Sequence, residues 1–152
     1  MLHFNRKTEY ALLAIEHMAL KESEPKDGSV TSTREISESY RIPYPLLAKV
    51  MQKLAGKGLV KAVHGTKGGY VLAKRPSDIT VADVVEITDG RVAVAECFRD
   101  EKITCPQWTG CLIKDPFYEL NHKIFDLLTQ TTVADLAGKN RTSGPQQIEV
   151  TP

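Results

Sequence analysis

All three cysteines of the chain lie in one short segment, at Cys97, Cys105 and Cys111. Cysteines that serve only as small buried hydrophobic residues would be scattered through the core. Here two turn-forming residues, Pro106 and Gly110, stand between the last two cysteines, and this pattern indicates thiolates folded around a common centre. The odd number argues against a closed set of disulfides. A metal centre would need a fourth ligand from another residue type, from solvent or from another chain.

A long basic stretch is the second feature that could carry chemistry. Residues 1–75 contain 13 Lys and Arg against 7 Asp and Glu, whereas residues 76–152 contain 7 against 12. Between Ser39 and Ser77 there is no acidic residue. A stretch of one sign and this length indicates binding to a polyanion. A solvated basic face is the plainer alternative, but the stretch coincides with a DNA-binding pattern.

The elements that would position these basic residues form a helix-turn-helix motif followed by a β-hairpin wing. A capping-box pattern starting at Ser32 opens a short helix, a Pro-rich turn follows, and Gly56 and Gly58 end the next helix. A Gly-rich tip at 64–69 joins two short strands. The expected elements are helices at about 7–21, 33–40 and 46–54 and strands at 59–63 and 70–73.

The second helix of such a motif enters the major groove, and the wing contacts phosphate or the minor groove. Glutamine can address adenine, and lysine can address phosphate or guanine. The candidate contacts to double-stranded DNA at a promoter operator are Lys49, Gln52 and Lys53 in the second helix, Thr33 and Tyr44 near the helix starts, and His64, Thr66 and Lys67 in the wing.

The second half of the chain predicts a linking helix and a long amphipathic helix on either side of the cysteines. A capping box at Thr80 opens the linking helix, which stops at Asp89 and Gly90. The pair Asp115–Pro116 is expected to open the long helix, which runs to about Gln130. Its single apolar stripe favours pairing with a second copy of the chain, and hence a homodimer. The stripe consists of Phe117, Leu120, Ile124, Leu127 and Leu128.

The fold class expected is mainly α with a small β-hairpin wing: a winged helix-turn-helix domain plus a long C-terminal dimerisation helix. No signal-peptide pattern or membrane-spanning apolar run is present, which predicts a cytoplasmic protein without a membrane partner. No arrangement of nucleophile, base and oxyanion donors indicates an enzyme, so no catalytic residue is assigned. The expected boundaries are 1–76 for DNA binding, 77–112 for the linking helix and cysteine loop, 113–137 for dimerisation and 138–152 for a disordered tail.

The chain resembles the IscR/NsrR/RirA iron–sulfur transcription regulators, often called the Rrf-two family. The resemblance covers about residues 1–137 and depends on the order and spacing of several short motifs together. They are Thr8-Glu9-Tyr10-Ala11-Leu12, the run from Leu47 to Leu54, Gly58-Leu59-Val60, Lys67-Gly68-Gly69-Tyr70 and the cysteine triplet.

The resemblance implies a dimer whose DNA affinity is set by an iron–sulfur cluster, with the three cysteines as its thiolate ligands. The cluster is expected to be 4Fe–4S, with 2Fe–2S left open, and to sense nitric oxide, iron or redox state. IscR-like members place a His three residues after the last Cys, but Lys114 stands there. NsrR-like members use an acidic residue of the partner's first helix, and Glu9 occupies that position. The resemblance therefore implies Glu9 of the partner subunit as the fourth ligand.

Three alternatives remain open at this stage. The thiols could hold structural zinc, although the tight Cys-x-x-Cys pairs typical of such sites are absent. They could instead form a cluster-free switch through reversible oxidation on the same fold. The chain could also be a protein-interaction module. Further residues that could reach a metal are His122, Asp100, Glu101 and Asp115.

Overall fold

The computed structural model describes residues 3–22, 30–99 and 105–139 of the 152-residue chain. These residues form a mainly helical molecule with one two-stranded antiparallel sheet. The fold class predicted from the sequence is confirmed. In chain order the elements are α1 (Arg6–Glu22), α2 (Thr33–Tyr40), α3 (Tyr44–Gly56), β1 (Val60–Val63), β2 (Gly69–Leu72), a 3-10 turn (Pro76–Asp78), α4 (Val81–Thr88), α5 (Glu96–Arg99), α6 (Lys114–Gln130) and α7 (Val133–Lys139).

Helix α1 is the centre of the molecule, since it packs against α3, α4, α7 and β2. Its alanines Ala11 and Ala14 are fully buried, and their small side chains allow neighbouring helices to approach closely. Ile15 and Met18 fill the space on the same side. This burial on several sides explains why the middle of α1 is apolar nearly all round. The other large side chains of this core include Ile36, Leu47, Met51, Leu54, Ile79, Val60, Val84 and Val133.

The helix-turn-helix motif is formed by α2 and α3. The Ser32 side chain accepts a hydrogen bond from the backbone N–H of Glu35, as an N-cap does. The α2 helix ends at Arg41, which adopts a left-handed conformation with φ of 53° and donates its backbone N–H to Ser37. Pro43 then precedes α3, whose buried residues pack on α1 and α2.

A charged network joins α2 to α1. The Glu35 carboxylate, which the capping-box pattern assigned to the N-cap, accepts hydrogen bonds from Lys21 Nζ at 2.8 and 2.9 Å. The ring Nε2 of His17 lies 3.0 Å from the same carboxylate, and its Nδ1 lies 3.1 Å from the Tyr40 hydroxyl. Lys21 and His17 are four residues apart in α1, so they occupy the same helix face. The network thus links the second half of α1 to α2 through side-chain hydrogen bonds.

The wing is held to the body of the domain by backbone hydrogen bonds. Strands β1 and β2 pair from Val60 with Leu72 to Val63 with Gly69. Thr31 adds a bridge on the other side of β2, where it exchanges two hydrogen bonds of 2.8 and 2.9 Å with Tyr70. Gly69 lies so close to this bridge that a Cβ there would stand 2.5 Å from the Thr31 carbonyl oxygen. The glycine is therefore a steric requirement of the wing.

The linking helix α4 starts at the predicted capping box. The Thr80 hydroxyl accepts from the backbone N–H of Asp83, and the Asp83 carboxylate accepts from that of Thr80. Gly90, with φ of 91°, follows the helix end. The chain then returns at α7, where Val133 donates its N–H to Ile79 at 2.9 Å. This contact closes the core behind α1.

Three local expectations are corrected by the structure. Cys97 lies in the single-turn helix α5, because residues 96–99 form a helical turn where a loop was expected. Helix α6 begins at Lys114 with Ile113 as its N-cap, so Asp115 and Pro116 lie inside the first turn. The predicted tail at 138–152 starts too early, since 138 and 139 belong to α7. Residues 140–152 lie outside the described part of the chain.

The apolar stripe of α6 is only partly covered within one chain. Phe117, Ile124 and Leu128 are half-buried on the side that meets α4. Leu120 and Leu127 lie on the other edge of the stripe, and Leu127 is 63% exposed. Of the described helices, none is both long enough and apolar enough to cross a membrane.

Candidate functional site

The three cysteines lie on the elements between α4 and α6. Cys97 is on α5, whereas Cys105 and Cys111 flank a tight turn at 106–110. In this turn the N–H of Trp108 donates to the Cys105 carbonyl at 3.1 Å, and Lys114 Nζ lies 5.0 Å from the centre of the Trp108 ring. All three thiols are free and half-buried, so they are accessible to metal or oxidant.

A cleft of about 400 Å³ opens beside Cys97, between the end of α4, α5 and α6. Its wall is partly aromatic: the rings of Phe98 and Tyr118 lie 6.2 Å apart, and those of Tyr118 and His122 lie 4.5 Å apart. His122 thus shares a cleft with one cysteine. Glu86 and Arg91 also line the cleft, so the lining offers both signs of charge.

Within the described residues of one chain, no three His, Cys, Asp or Glu side chains are gathered closely enough to hold a metal ion. Asp100 and Glu101 lie outside the described ranges. Asp115 is exposed in the first turn of α6. The predicted centre shared by the three thiolates is therefore not assembled by one subunit in this conformation.

Glu9 lies in the first turn of α1, distant in sequence from the cysteines. Its carboxylate Oε2 accepts a hydrogen bond of 2.8 Å from Arg6 Nη1, three residues earlier on the same helix. The Glu9 side chain is 41% exposed, so it can be reached from outside the subunit. One residue earlier, the Thr8 hydroxyl is buried against that of Thr88 at 2.7 Å. This bond ties the start of α1 to the end of α4.

The predicted DNA contacts on α3 form one exposed face. Lys49, Gln52 and Lys53 are all exposed, opposite the buried side of the helix. Lys53 Nζ also donates to the carbonyl of Thr88 at 3.4 Å, which is a long hydrogen bond. The face therefore presents two cations and one amide to a groove of DNA.

Two further predicted contacts lie at the helix starts. The Tyr44 side chain is half-exposed at the beginning of α3 and is available to a phosphate. Thr33, by contrast, is only 9% exposed at the beginning of α2, so only a small part of it could touch DNA. Both assignments stay predictions.

The wing residues His64, Thr66 and Lys67 are all exposed at the tip between β1 and β2. Gly65, with φ of 125°, provides the backbone conformation that turns the tip. Tyr70 and Leu72, which lie behind the tip, pack against the core. The tip therefore exposes polar side chains, while the strand behind it is anchored to the core.

The sequence did not single out Arg6 and Lys7, which line a groove with Lys49 and Lys53. Two adjacent basic residues just before the first apolar residues of α1 are visible in the sequence. The sequence does not show, however, that this end of α1 lies beside α3. The pairing of Glu35 with His17 and Lys21 was also missed, because the capping-box pattern accounted for Glu35.

The fold and the exposed basic face define a winged-helix DNA-binding protein, and comparison with known families agrees. The family model Rrf2, described as an iron-dependent transcriptional regulator, matches residues 4–139. The chain belongs to this family of DNA-binding transcription regulators. It is accordingly a regulator rather than an enzyme.

Two of the similar proteins carry different regulator names, NsrR and CymR. NsrR of Shouchella clausii is 34% identical over 129 residues, which cover 85% of this chain and 84% of that protein. CymR of Bacillus subtilis is 27% identical over 148 residues, which cover 96% of each. The solved structure of B. subtilis CymR, described as its global cysteine regulator, matches with a TM-score of 0.71 and 26% identity over 91% of this chain and 98% of that chain. The structure of T. potens IscR matches with a TM-score of 0.69 and 24% identity over 95% and 94%, and it supports the fold alone.

Proposed function

We propose that this chain is a homodimeric, cytoplasmic transcription regulator whose affinity for promoter DNA is set by an iron–sulfur cluster that senses nitric oxide, iron or redox state. The observation that carries the proposal is the set of three free, half-buried thiols at Cys97, Cys105 and Cys111. They lie between the helix-turn-helix body and α6. The similarity to NsrR of S. clausii supports the same function.

The donor set fits an iron–sulfur cluster in its chemistry. Iron–sulfur clusters are held by cysteine thiolates, and three of them leave one chemically different position. A carboxylate there would be a harder, more easily displaced ligand. The resemblance to NsrR-like members supports Glu9 of the partner subunit as the fourth ligand, and the Glu9 side chain is 41% exposed in the single chain. A cluster bound there would supply the reactivity toward nitric oxide or oxygen.

The route from the thiols to DNA runs through helices that are in contact. Cys97 and α6 line the same cleft as Glu86 on α4. The end of α4 is tied to α1 by the Thr8–Thr88 bond and touches α3 through Lys53. A rearrangement of the cysteine segment can therefore shift α4 and change how α3 meets DNA, which is an energetic coupling between two sites.

A dimer is proposed to form through α6, whose outer apolar edge is exposed in the single chain. The resemblance implies that, in this dimer, Glu9 of the partner subunit completes the ligand set at the cysteines. The segments 77–112 and 113–137 stay our proposals for the sensing and dimerising parts of the chain. Helix α7, which begins within the second segment, packs against α1 of the DNA-binding part.

A cluster-free thiol switch is the second candidate. The similarity to CymR over 96% of the chain supports it, as do the three free, half-buried thiols. In this case oxidation of two thiols to a disulfide would move α5 relative to the turn at 106–110. A protein-interaction module is the third alternative.

Anaerobic purification of the full chain separates these candidates. The cluster proposal expects coloured protein with iron and sulfide in stoichiometric amounts, and Cys105→Ser should lose both while keeping its helical circular dichroism. Ser39→Ala, far from the cysteines in sequence, is the control and should retain the metal. Colourless protein with zinc, or with no metal and a disulfide that forms on oxidation, would refute the cluster. Absence of binding to any duplex at low salt would favour the interaction module, since phosphate contacts make DNA affinity depend on salt.

A further inference from the structure

A basic groove of about 270 Å³ lies between the start of α1, α3 and the end of α4. Its floor contains apolar atoms of Tyr10, Leu46 and Val50. The surface inside the groove is mostly apolar, but no acidic side chain lines it among the described residues, so the lining residues carry a net positive charge that suits an anion. Four cationic side chains line it, two from the first turn of α1 and two from α3: Arg6, Lys7, Lys49 and Lys53.

The position of the groove favours the DNA backbone as that anion. Lys49 belongs both to this groove and to the exposed face of α3 that carries Gln52. When a recognition helix enters the major groove, a sugar–phosphate strand runs along each side of it. The edge of α3 that faces α1 would then lie beside one strand, with Arg6 and Lys7 above it.

Arg6 is held by Glu9 in this conformation. Its Nη1 donates to Glu9 Oε2 at 2.8 Å, while 80% of the Arg6 side chain remains exposed. A guanidinium paired with a carboxylate is neutralised, and the donors it uses there are not offered to a phosphate. The same carboxylate is the proposed fourth ligand of the cluster held by the partner's thiols. Iron bound there would draw on the negative charge that pairs with Arg6, so the two interactions compete.

We propose that Arg6 is a contact to the DNA backbone and that Glu9 controls its availability. In the cluster-free chain Glu9 holds Arg6, and the groove is one cation weaker toward phosphate. When the Glu9 carboxylate is engaged elsewhere, Arg6 is released to the groove and DNA affinity rises. The link to the cluster rests on the proposed function, whereas the competition between Glu9 and phosphate for Arg6 does not.

A double-variant cycle on the full, chelator-treated chain tests the competition. The probe is a fluorescein-labelled duplex of mixed sequence, and the readout is its dissociation constant over a range of salt concentrations. Glu9→Gln should tighten binding by about two- to fivefold per subunit, since an exposed ion pair is worth no more than that. It should also steepen the salt dependence by about one phosphate contact per subunit.

The Arg6→Ala background shows whether the gain comes from Arg6 or from the lost negative charge. Arg6→Ala alone should weaken binding modestly, because it leaves the Glu9 carboxylate unpaired. Glu9→Gln should therefore give a smaller gain in that background than in the parent, where it also frees Arg6. Glu22→Gln removes the same charge from the other end of α1 and is the control. A gain as large in the Arg6→Ala background as in the parent, or one that Glu22→Gln reproduces, would overturn the proposal.

A second experiment tests the link to the cluster, and its failure can be told apart from failure of the first. If anaerobic protein contains iron and sulfide, Arg6→Ala should weaken DNA binding of the loaded form at least twofold more than that of the cluster-free form. An equal effect on both forms would show that Glu9 does not release Arg6 on cluster binding. If no iron is found, the proposed function fails, while the result of the first cycle still stands.

Discussion

At the scale of single residues, the absence of a Cβ at Gly69 is what allows β2 to lie against Thr31. Thr31 bonds to Tyr70 on one side of β2, and a Cβ at Gly69 would stand 2.5 Å from the Thr31 carbonyl oxygen. Gly69→Ala should therefore destabilise the protein by about 1–3 kcal/mol, the usual cost of overpacking. Denaturant unfolding measures this difference.

Gly56→Ala is the matched control, because a Cβ at Gly56 in α3 meets nothing within 4 Å. It should leave stability unchanged or raise it by up to about 1 kcal/mol, since Ala is the better helix former. Equal losses in both variants would show that the contact with Thr31 does not decide the effect.

At the scale of elements, the network between α1 and α2 makes their packing depend on pH. Burial raises the pKa of Glu35, but hydrogen bonds from Lys21 and His17 outweigh it and hold the pKa below its ordinary value. A carboxylate with a lowered pKa in the folded state stabilises it above the pKa of the unfolded chain, and this stabilisation is lost as the pH falls through the folded pKa. Glu35→Gln should therefore lower Tm near neutral pH by about 2–4 °C, for a loss of at most about 1 kcal/mol in a partly exposed network.

The comparison is made by thermal unfolding at pH 7 and at the lowest acidic pH at which the parent still folds, because protonation of Glu35 removes its ion pairs. The gap between parent and variant should close at the lower pH. Glu38→Gln, in the next turn of α2 and exposed, should shift Tm little at either pH. A gap that is the same at both pH values would contradict a role for the ionised carboxylate.

The elements also show which parts of the fold the sequence determines. The N-terminal ends of α2 and α4 were predicted within a residue, because Ser32 and Thr80 cap them through local hydrogen bonds. The helical turn at Cys97 was not, since four residues carry no periodic pattern. The groove with Arg6 was missed because it depends on how α1 crosses α3, which is a long-range contact. The cysteine ligand set stays a prediction for a similar reason, since its members come from separate elements.

At the scale of the whole molecule, the exposed edge of α6 predicts the quaternary structure. Leu120 and Leu127 leave apolar surface uncovered in one chain. Leu127→Glu would place a charge in the proposed interface and should raise the dimer dissociation constant by at least tenfold, since burying an unpaired charge costs more than about 1.4 kcal/mol. Analytical ultracentrifugation measures the change.

Thr129→Glu places the same charge on the same helix about 160° away from Leu127, as follows from about 100° per residue. It should leave the dimer intact. If both variants remain dimeric, the interface lies elsewhere, and the proposal that the partner's Glu9 reaches the cysteines loses its support.

The return of α7 onto α1 has a consequence for how the regulator can be divided. Val133 is 1% exposed and Ile79 is fully buried, and both belong to the same core as α1 and α3. A shortened chain that stopped at residue 76 would lack both side chains and leave the back of α1 open to water. Residues 1–76 therefore do not contain the complete core of the DNA-binding part, because Val133 follows the cysteine segment in the chain. A proteolytic cut between 105 and 130 would leave α7 attached to this core by non-covalent contacts alone.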